Sequence, residues 1–161
     1  MLNIRNKKFE VKFIGVGEKH SHEFINGKIY YAIHTINKYG VMIDRITIIN
    51  NTGWYETNKE YFEILNFEEY NKIIFDIIED IEKLKNIRKV KCISLEYNNT
   101  IYAGNNDIQI RKGGVYDVLE FLPSVTPKGR FRVSIDNKIY PIQLFTPISD
   151  WRKEQLNKIL K

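Results

Sequence analysis

Gly27-Lys28-Ile29-Tyr30-Tyr31-Ala32-Ile33 decides the reading of this chain, because Gly113-Gly114-Val115-Tyr116-Asp117-Val118-Leu119 repeats it. Each copy sets a glycine turn before an alternating strand of β-branched and aromatic residues. The offset is constant: Gly27 aligns with Gly113, Ile29 with Val115, Tyr30 with Tyr116, Ala32 with Val118 and Ile33 with Leu119. Upstream, Val11-Lys12-Phe13-Ile14 matches Val90-Lys91-Cys92-Ile93. Downstream, each copy runs into a hairpin and an aromatic pair, Tyr55 with Phe62 in the first and Tyr140-Pro141 with Phe145 in the second. Asn26-Gly27, Lys38-Tyr39-Gly40, Asn50 to Gly53, Asn98-Asn99 and Asp136-Asn137 punctuate the strands as turns, the last as a two-residue hairpin turn. The pattern predicts two related series of short strands, spaced as in a small barrel.

Between the copies the period changes. Phe67, Tyr70, Ile73, Ile74, Ile77, Ile78, Ile81, Leu84 and Ile87 recur at spacings of three and four, which predicts an amphipathic helix with one apolar stripe. Asn66 is a suitable N-cap, with Glu69 three residues on as in a capping box. No proline or glycine interrupts residues 66–88, so the segment reads as a linker helix with a buried face. Ser149 is a candidate N-cap for a short C-terminal helix carrying Trp151, Leu156, Ile159 and Leu160. The expected organisation is a first barrel over 1–65, the linker helix over 66–88, a second barrel over 89–148 and a terminal helix over 149–161. The fold class is mainly β, or α+β with the helices included.

Composition narrows the function classes. Ten Tyr and nine Phe in 161 residues support packed β structure rather than disorder. The net charge of +5 is uneven: residues 1–66 carry +2, 67–88 carry −2 and 89–161 carry +5. A modest basic excess favours acidic partners or phosphates at long range without specifying recognition. The single cysteine, Cys92, rules out an internal disulfide framework and reads as a buried structural thiol. No stretch is long and apolar enough to span a membrane, and the N-terminus has no apolar signal core. The expectation is a cytoplasmic protein with no membrane role.

The repeated motifs resemble the small SH3-like β-barrels of bacteriophage and Gram-positive prophage proteins. Those read Val-Lys-Cys-Ile, a polar loop, Gly-Lys-x-Tyr-x-Val, a hairpin, then Tyr-Pro-x-x-x-Phe. The second copy matches at Val90 to Ile93, Gly113 to Val118 and Tyr140-Pro141 to Phe145, with Gly114 in place of the lysine and a long insertion before Gly113. The first matches at Val11 to Ile14 and Gly27-Lys28-Ile29-Tyr30 but lacks the proline. The resemblance spans both copies and neither helix. It implies two SH3-like barrels joined by a helix, in a non-enzymatic phage or mobile-element protein that acts by protein–protein interaction. A host defence component is one target it suggests, a role of anti-defence type.

Chemistry-bearing residues are few. Glu18, His20, His22 and Glu23 form one metal-like cluster, with His34 a further candidate; the competing reading is a solvated polar loop, and no second cluster stands at ligand spacing. No nucleophile motif or phosphate-cradling glycine loop is present, so no cofactor is expected. Exposed aromatics form the ligand groove in SH3-like barrels. The corresponding candidates are Trp54, Tyr55, Tyr39 and Tyr31 in the first copy and Tyr97, Tyr102 and Tyr116 in the second, although Tyr30 and Tyr116 repeat at one position and read as core. A basic set of Arg111, Lys112, Lys128, Arg130 and Arg132 surrounds the second copy. With Tyr97 and Tyr102 it could meet an acidic protein surface or a nucleic-acid backbone, or simply be a solvated face. The expected contact site is this aromatic-basic face. A nucleic-acid module is the alternative, and a small-nucleotide binder or enzyme with a site between the barrels is a third.

Overall fold

Alternating strands separated by glycine and asparagine turns should give a β-rich chain, and the computed structural model is mainly β, with 43% strand against 26% helix. It describes residues 2–15, 24–102, 109–124, 129–135 and 137–161. The chain divides into two units, Arg5–Asp80 and Met1–Ile4 with Ile81–Lys161.

The first unit contains β1 (Phe9–Phe13), β2 (Ile29–Asn37), β3 (Gly40–Asn50), β4 (Gly53–Asn58) and β5 (Phe62–Ile64). They form one antiparallel sheet in the order β4-β3-β2-β1-β5, with a 3-10 turn over Lys59–Tyr61 leading into β5. Alternation selects the buried face: Phe9, Val11 and Phe13 from β1, Tyr30, Ala32 and His34 from β2, Ile46 and Ile48 from β3, Phe62 and Ile64 from β5. Phe24 fills the end of this core, with its ring against Phe13, Tyr30 and Phe62 at 5.4 Å each.

Helix α1 (Phe67–Lys85) starts where Asn66 Oδ1 accepts the Glu69 N–H at 3.1 Å. Glu68 and Glu69 in its first turn and Lys83 and Lys85 in its last complement the helix dipole. Tyr70, Ile73, Ile77, Ile81 and Leu84 are buried, and Tyr70 packs edge-on against Phe9 at 5.1 Å. Phe67, Phe75 and Ile78 are exposed, so the apolar positions divide into a buried stripe and an exposed one. The helix stops short of residue 88: Asn86 Nδ2 donates to the Glu82 carbonyl at 2.9 Å, ending the regular ladder. Arg5 ties the preceding segment to α1, its guanidinium meeting Asp76, Glu79 and Asp80 at 3.4, 2.6 and 3.0 Å.

The second unit contains β6 (Lys89–Cys92), β7 (Glu96–Tyr97), β8 (Thr100–Ile101), β9 (Val115–Leu122), β10 (Arg130–Val133), β11 (Ile139–Pro141) and β12 (Phe145–Pro147). Five of them form a sheet in the order β11-β10-β9-β6-β12, and a 3-10 turn over Ile142–Leu144 leads into β12. This is the strand order of the first sheet, element for element. The local hydrogen bonds repeat too. Tyr30 Oη accepts the Ile25 N–H at 2.8 Å, and Tyr116 Oη accepts the Arg111 N–H at 2.7 Å. Gly27 N–H donates to the Phe13 carbonyl and Gly113 N–H to the Cys92 carbonyl, each at 2.8 Å. Ile14 and Gly15 both donate to the Tyr61 carbonyl, as Ile93 and Ser94 do to that of Leu144. Gly27 and Gly113 have φ of +79° and +84°, the left-handed region these two turns require. Gly114, which departs from the lysine of the motif, leaves space that the Tyr116 hydroxyl fills: a Cβ there would require that hydroxyl to shift.

Several sequence expectations need correction. The residue equivalent to Tyr140 is Thr57, not Tyr55: Tyr140 pairs with Phe131 on β10, and Thr57 with the equally buried Ile46 on β3. The connection between β10 and β11 is longer than two residues. Val133 N–H donates to the Lys138 carbonyl and Asn137 N–H to the Val133 carbonyl, while Ser134 N–H is held by the Asp117 carbonyl of β9. Asp136 lies outside the described residues. The insertion before Gly113 contains the β7–β8 hairpin, whose Asn98 and Asn99 adopt φ of 49° and 61°, as a two-residue turn of primed type demands. Helix α2 (Ile148–Ile159) begins after Pro147, and Ser149 does not cap it; its hydroxyl is directed to Asp150 instead. Leu156, Ile159 and Leu160 are exposed, whereas Trp151 is half-buried under the Lys91 ammonium, 3.5 Å from the ring centroid.

Candidate functional site

Alternation that buries Tyr30, Ala32 and His34 turns Ile29 and Tyr31 to the opposite face of β2. The ladder registers carry that face across the sheet. Tyr31 pairs with Ile49 on β3, and Ile49 pairs with Trp54 on β4, so the three side chains stand in one row. Ile29, Tyr31 and Trp54 are each about half exposed, at 52%, 55% and 53%, and Ile49 is half-buried between its neighbours. A contiguous exposed row of two aromatics and aliphatic neighbours has the composition of an interface centre.

Two of the charged groups bordering the row are paired, and Glu10 stands exposed opposite Tyr31. Lys12, opposite Ile29, meets Glu63 at 3.8 Å, and Arg45 meets Glu56 at 2.6 Å. Tyr55 faces the other side, its ring 6.2 Å from Phe24 and its hydroxyl 2.6 Å from Thr52 Oγ1. Tyr39 is exposed at the β2–β3 turn, away from the row. Beyond the end of β4 an open groove of about 490 Å³ is lined by Ile43, Asp44, Asn58, Lys59 and Glu60.

The basic set of the second unit is not a uniform field. Arg132 lies opposite Glu120 and pairs with it at 3.3 Å, and its Nη1 donates to the Asn137 carbonyl at 3.1 Å. Arg130 is exposed on the same face of β10, and Arg111 and Lys112 are exposed in the turn before β9. Lys128 lies outside the described residues. Tyr97 is half-buried on the β7–β8 hairpin, and Tyr102 packs its ring edge-on against Tyr140 at 6.2 Å. Tyr116 is core, as its repeat position implied.

The metal candidates Glu18, His20, His22 and Glu23 also lie outside the described residues. Among the described residues no group of three His, Cys, Asp or Glu is arranged to hold a metal. His34 is fully buried between Phe9 and Tyr70, with ring centroids 4.8 and 4.5 Å away, and its Nε2 donates to the Tyr70 carbonyl at 3.2 Å. Burial pushes this imidazole down from its ordinary 6.5 to about 4; the Tyr70 carbonyl opposes the shift and the Lys59 charge adds to it. Burial likewise pushes the Cys92 thiol up, and its Sγ donates to the Ser94 carbonyl at 3.2 Å.

Ile29 and Ile49 were missed as site residues because neither is aromatic or charged. The turn at Asn50–Gly53 contains the signal: counting back from it sets Ile49 opposite Trp54. Comparison of the chain with protein-family models, with curated proteins and with solved structures returned no match.

Proposed function

We propose that the chain is a non-enzymatic binding protein built from two SH3-like barrels, and that it takes a protein partner on the outer face of the first, around Ile29, Tyr31, Ile49 and Trp54. The observation that carries this reading is the exposed row Tyr31–Ile49–Trp54, bordered by Glu10 and by the ion pairs Lys12–Glu63 and Arg45–Glu56. Interfaces of modest size have this anatomy: a desolvatable aromatic centre inside a polar rim. A nucleic-acid backbone would call for unpaired cations, and Lys12 and Arg45 beside the row are both held by carboxylates. The aromatic-basic face expected on the second copy is the weaker site because its aromatics are not an exposed row: Tyr97 is half-buried and Tyr102 packs against Tyr140, while Arg132 is paired with Glu120. His34 and Cys92, whose titration burial perturbs, are part of the packing, which fits binding better than catalysis. If the phage-type resemblance holds, the partner is a host protein.

The test is comparative capture. Tyr31→Ala with Trp54→Ala should weaken retention of the partner that the wild type draws from a bacterial lysate roughly 30-fold or more, as loss of a central aromatic pair does. Arg130→Ser with Arg132→Ser should leave it nearly unchanged. The reverse pattern, with both variants folded, moves the site to the second unit.

A further inference from the structure

The edge strands of the two sheets differ in a way that bears on how a partner binds. In the second sheet the edge strand β11 has three residues and ends in Pro141, which has no N–H to offer. Its counterpart β4 has six residues, Gly53-Trp54-Tyr55-Glu56-Thr57-Asn58, with neither proline nor lysine to blunt it. A two-residue turn joins β3 to β4, so the narrow hydrogen-bonded pairs are Asn50 with Gly53, Ile48 with Tyr55 and Ile46 with Thr57. Trp54 and Glu56 occupy the wide pairs, and their backbone N–H and C=O groups point away from β3. Among the described residues no strand lies along that edge, and no turn or loop hydrogen bond reaches either N–H.

We propose that β4 receives an extended segment of the protein partner as an added strand, bonded to the backbone of Trp54 and Glu56. This strand-addition mode rests on the binding role proposed above and specifies its geometry. The side chains select the occupant. The exposed Trp54 ring favours an apolar or aromatic residue beside it, and Glu56 stands on the same face two positions on. The edge then runs into the groove where Asp44 and Glu60 stand with Lys59, whose ammonium lies over the Tyr70 ring, and the two carboxylates against one cation suit a lysine or arginine at that end of the segment. A second copy of β4 suits it less, because that strand contains no basic residue.

The probe is a set of short acetylated peptides that alternate Val, Ile, Phe or Tyr with Lys or Arg, together with the same peptides N-methylated at every second amide. Amide exchange is followed by NMR on the whole isotopically labelled chain. Exchange at Trp54 and Glu56 should slow roughly tenfold or more as the plain peptides saturate, and should not slow with the N-methylated set. Peptide binding that shifts the Tyr31 and Trp54 side chains without protecting these amides would overturn strand addition and leave the binding face standing. Failure of every alternating peptide to bind would overturn strand addition too, while the capture comparison of Tyr31 and Trp54 would still decide the binding role. Protection in the peptide-free protein that fades on dilution would identify a second copy as the occupant and refute a partner segment.

Discussion

Acidification should destabilise the Arg5–Asp80 unit through one side chain, His34. Its ring is fully buried against Phe9 and Tyr70, and burial lowers its folded pKa to about 4. A depressed histidine pKa means that the unfolded chain takes up the proton first. Above the unfolded value of 6.5 the imidazole is neutral in both states and adds no pH dependence. As pH falls through 6.5 towards 4, the unfolded state gains a proton that the folded state refuses, and stability is lost progressively. Below the folded pKa the loss levels off at about 3 kcal/mol, at about 1.36 kcal/mol for each pH unit between 6.5 and about 4. Urea unfolding between pH 7.5 and 4 would measure it, with Trp54 fluorescence as the reporter in a Trp151→Phe background, since the chain has only these two tryptophans. Carboxylates begin to protonate at the low end of this window, so the comparison with His34→Gln isolates the histidine. The glutamine retains an amide donor for the Tyr70 carbonyl but cannot titrate. It should lower stability at neutral pH and flatten the decline between pH 6.5 and 4. An equally steep decline in the variant would refute the reasoning.

Two further stability tests address the fold. Ile77 is fully buried on α1, so Ile77→Asp should cost roughly 3 kcal/mol or more by stranding a carboxylate without a partner, and an unchanged melting temperature would show that the stripe is not packed. Tyr30→Phe and Tyr116→Phe each delete one equivalent hydroxyl acceptor, and each should cost about 1 kcal/mol in urea titrations; a large loss at one site and none at the other would break the equivalence of the two copies.

Much of the fold is legible locally. The glycine turn, the tyrosine three residues later and the Val-Lys-x-Ile strand mark both sheets because each acts over a few residues: Gly27 and Gly113 must reach positive φ, and Tyr30 and Tyr116 must close the same turn. What depends on register is harder to see. Matching Tyr55 to Tyr140 by aromatic type fails, because position is set by pairing with Ile46 and Phe131, and counting from the Asn50–Gly53 turn selects Thr57. The charge count over 89–161 registered Arg132 as an available cation, since nothing in the local sequence brings Glu120 beside it. On α1, the apolar residues span too wide an arc for one face, which leaves Phe67 and Ile78 exposed beside the uncounted Phe75. The candidate row was half legible: Trp54 and Tyr31 stood out as aromatics, while Ile29 and Ile49 needed the ladder.

The binding face itself is tested most directly by hydrogen exchange of the wild-type chain with and without the protein it captures. The account predicts protection concentrated in residues 29–33, 47–50 and 53–57, where Ile29, Tyr31, Ile49 and Trp54 lie, with residues 111–112 and 130–132 unchanged. Protection at Arg111, Lys112, Arg130 and Arg132 with the Trp54 strand unaffected would contradict it.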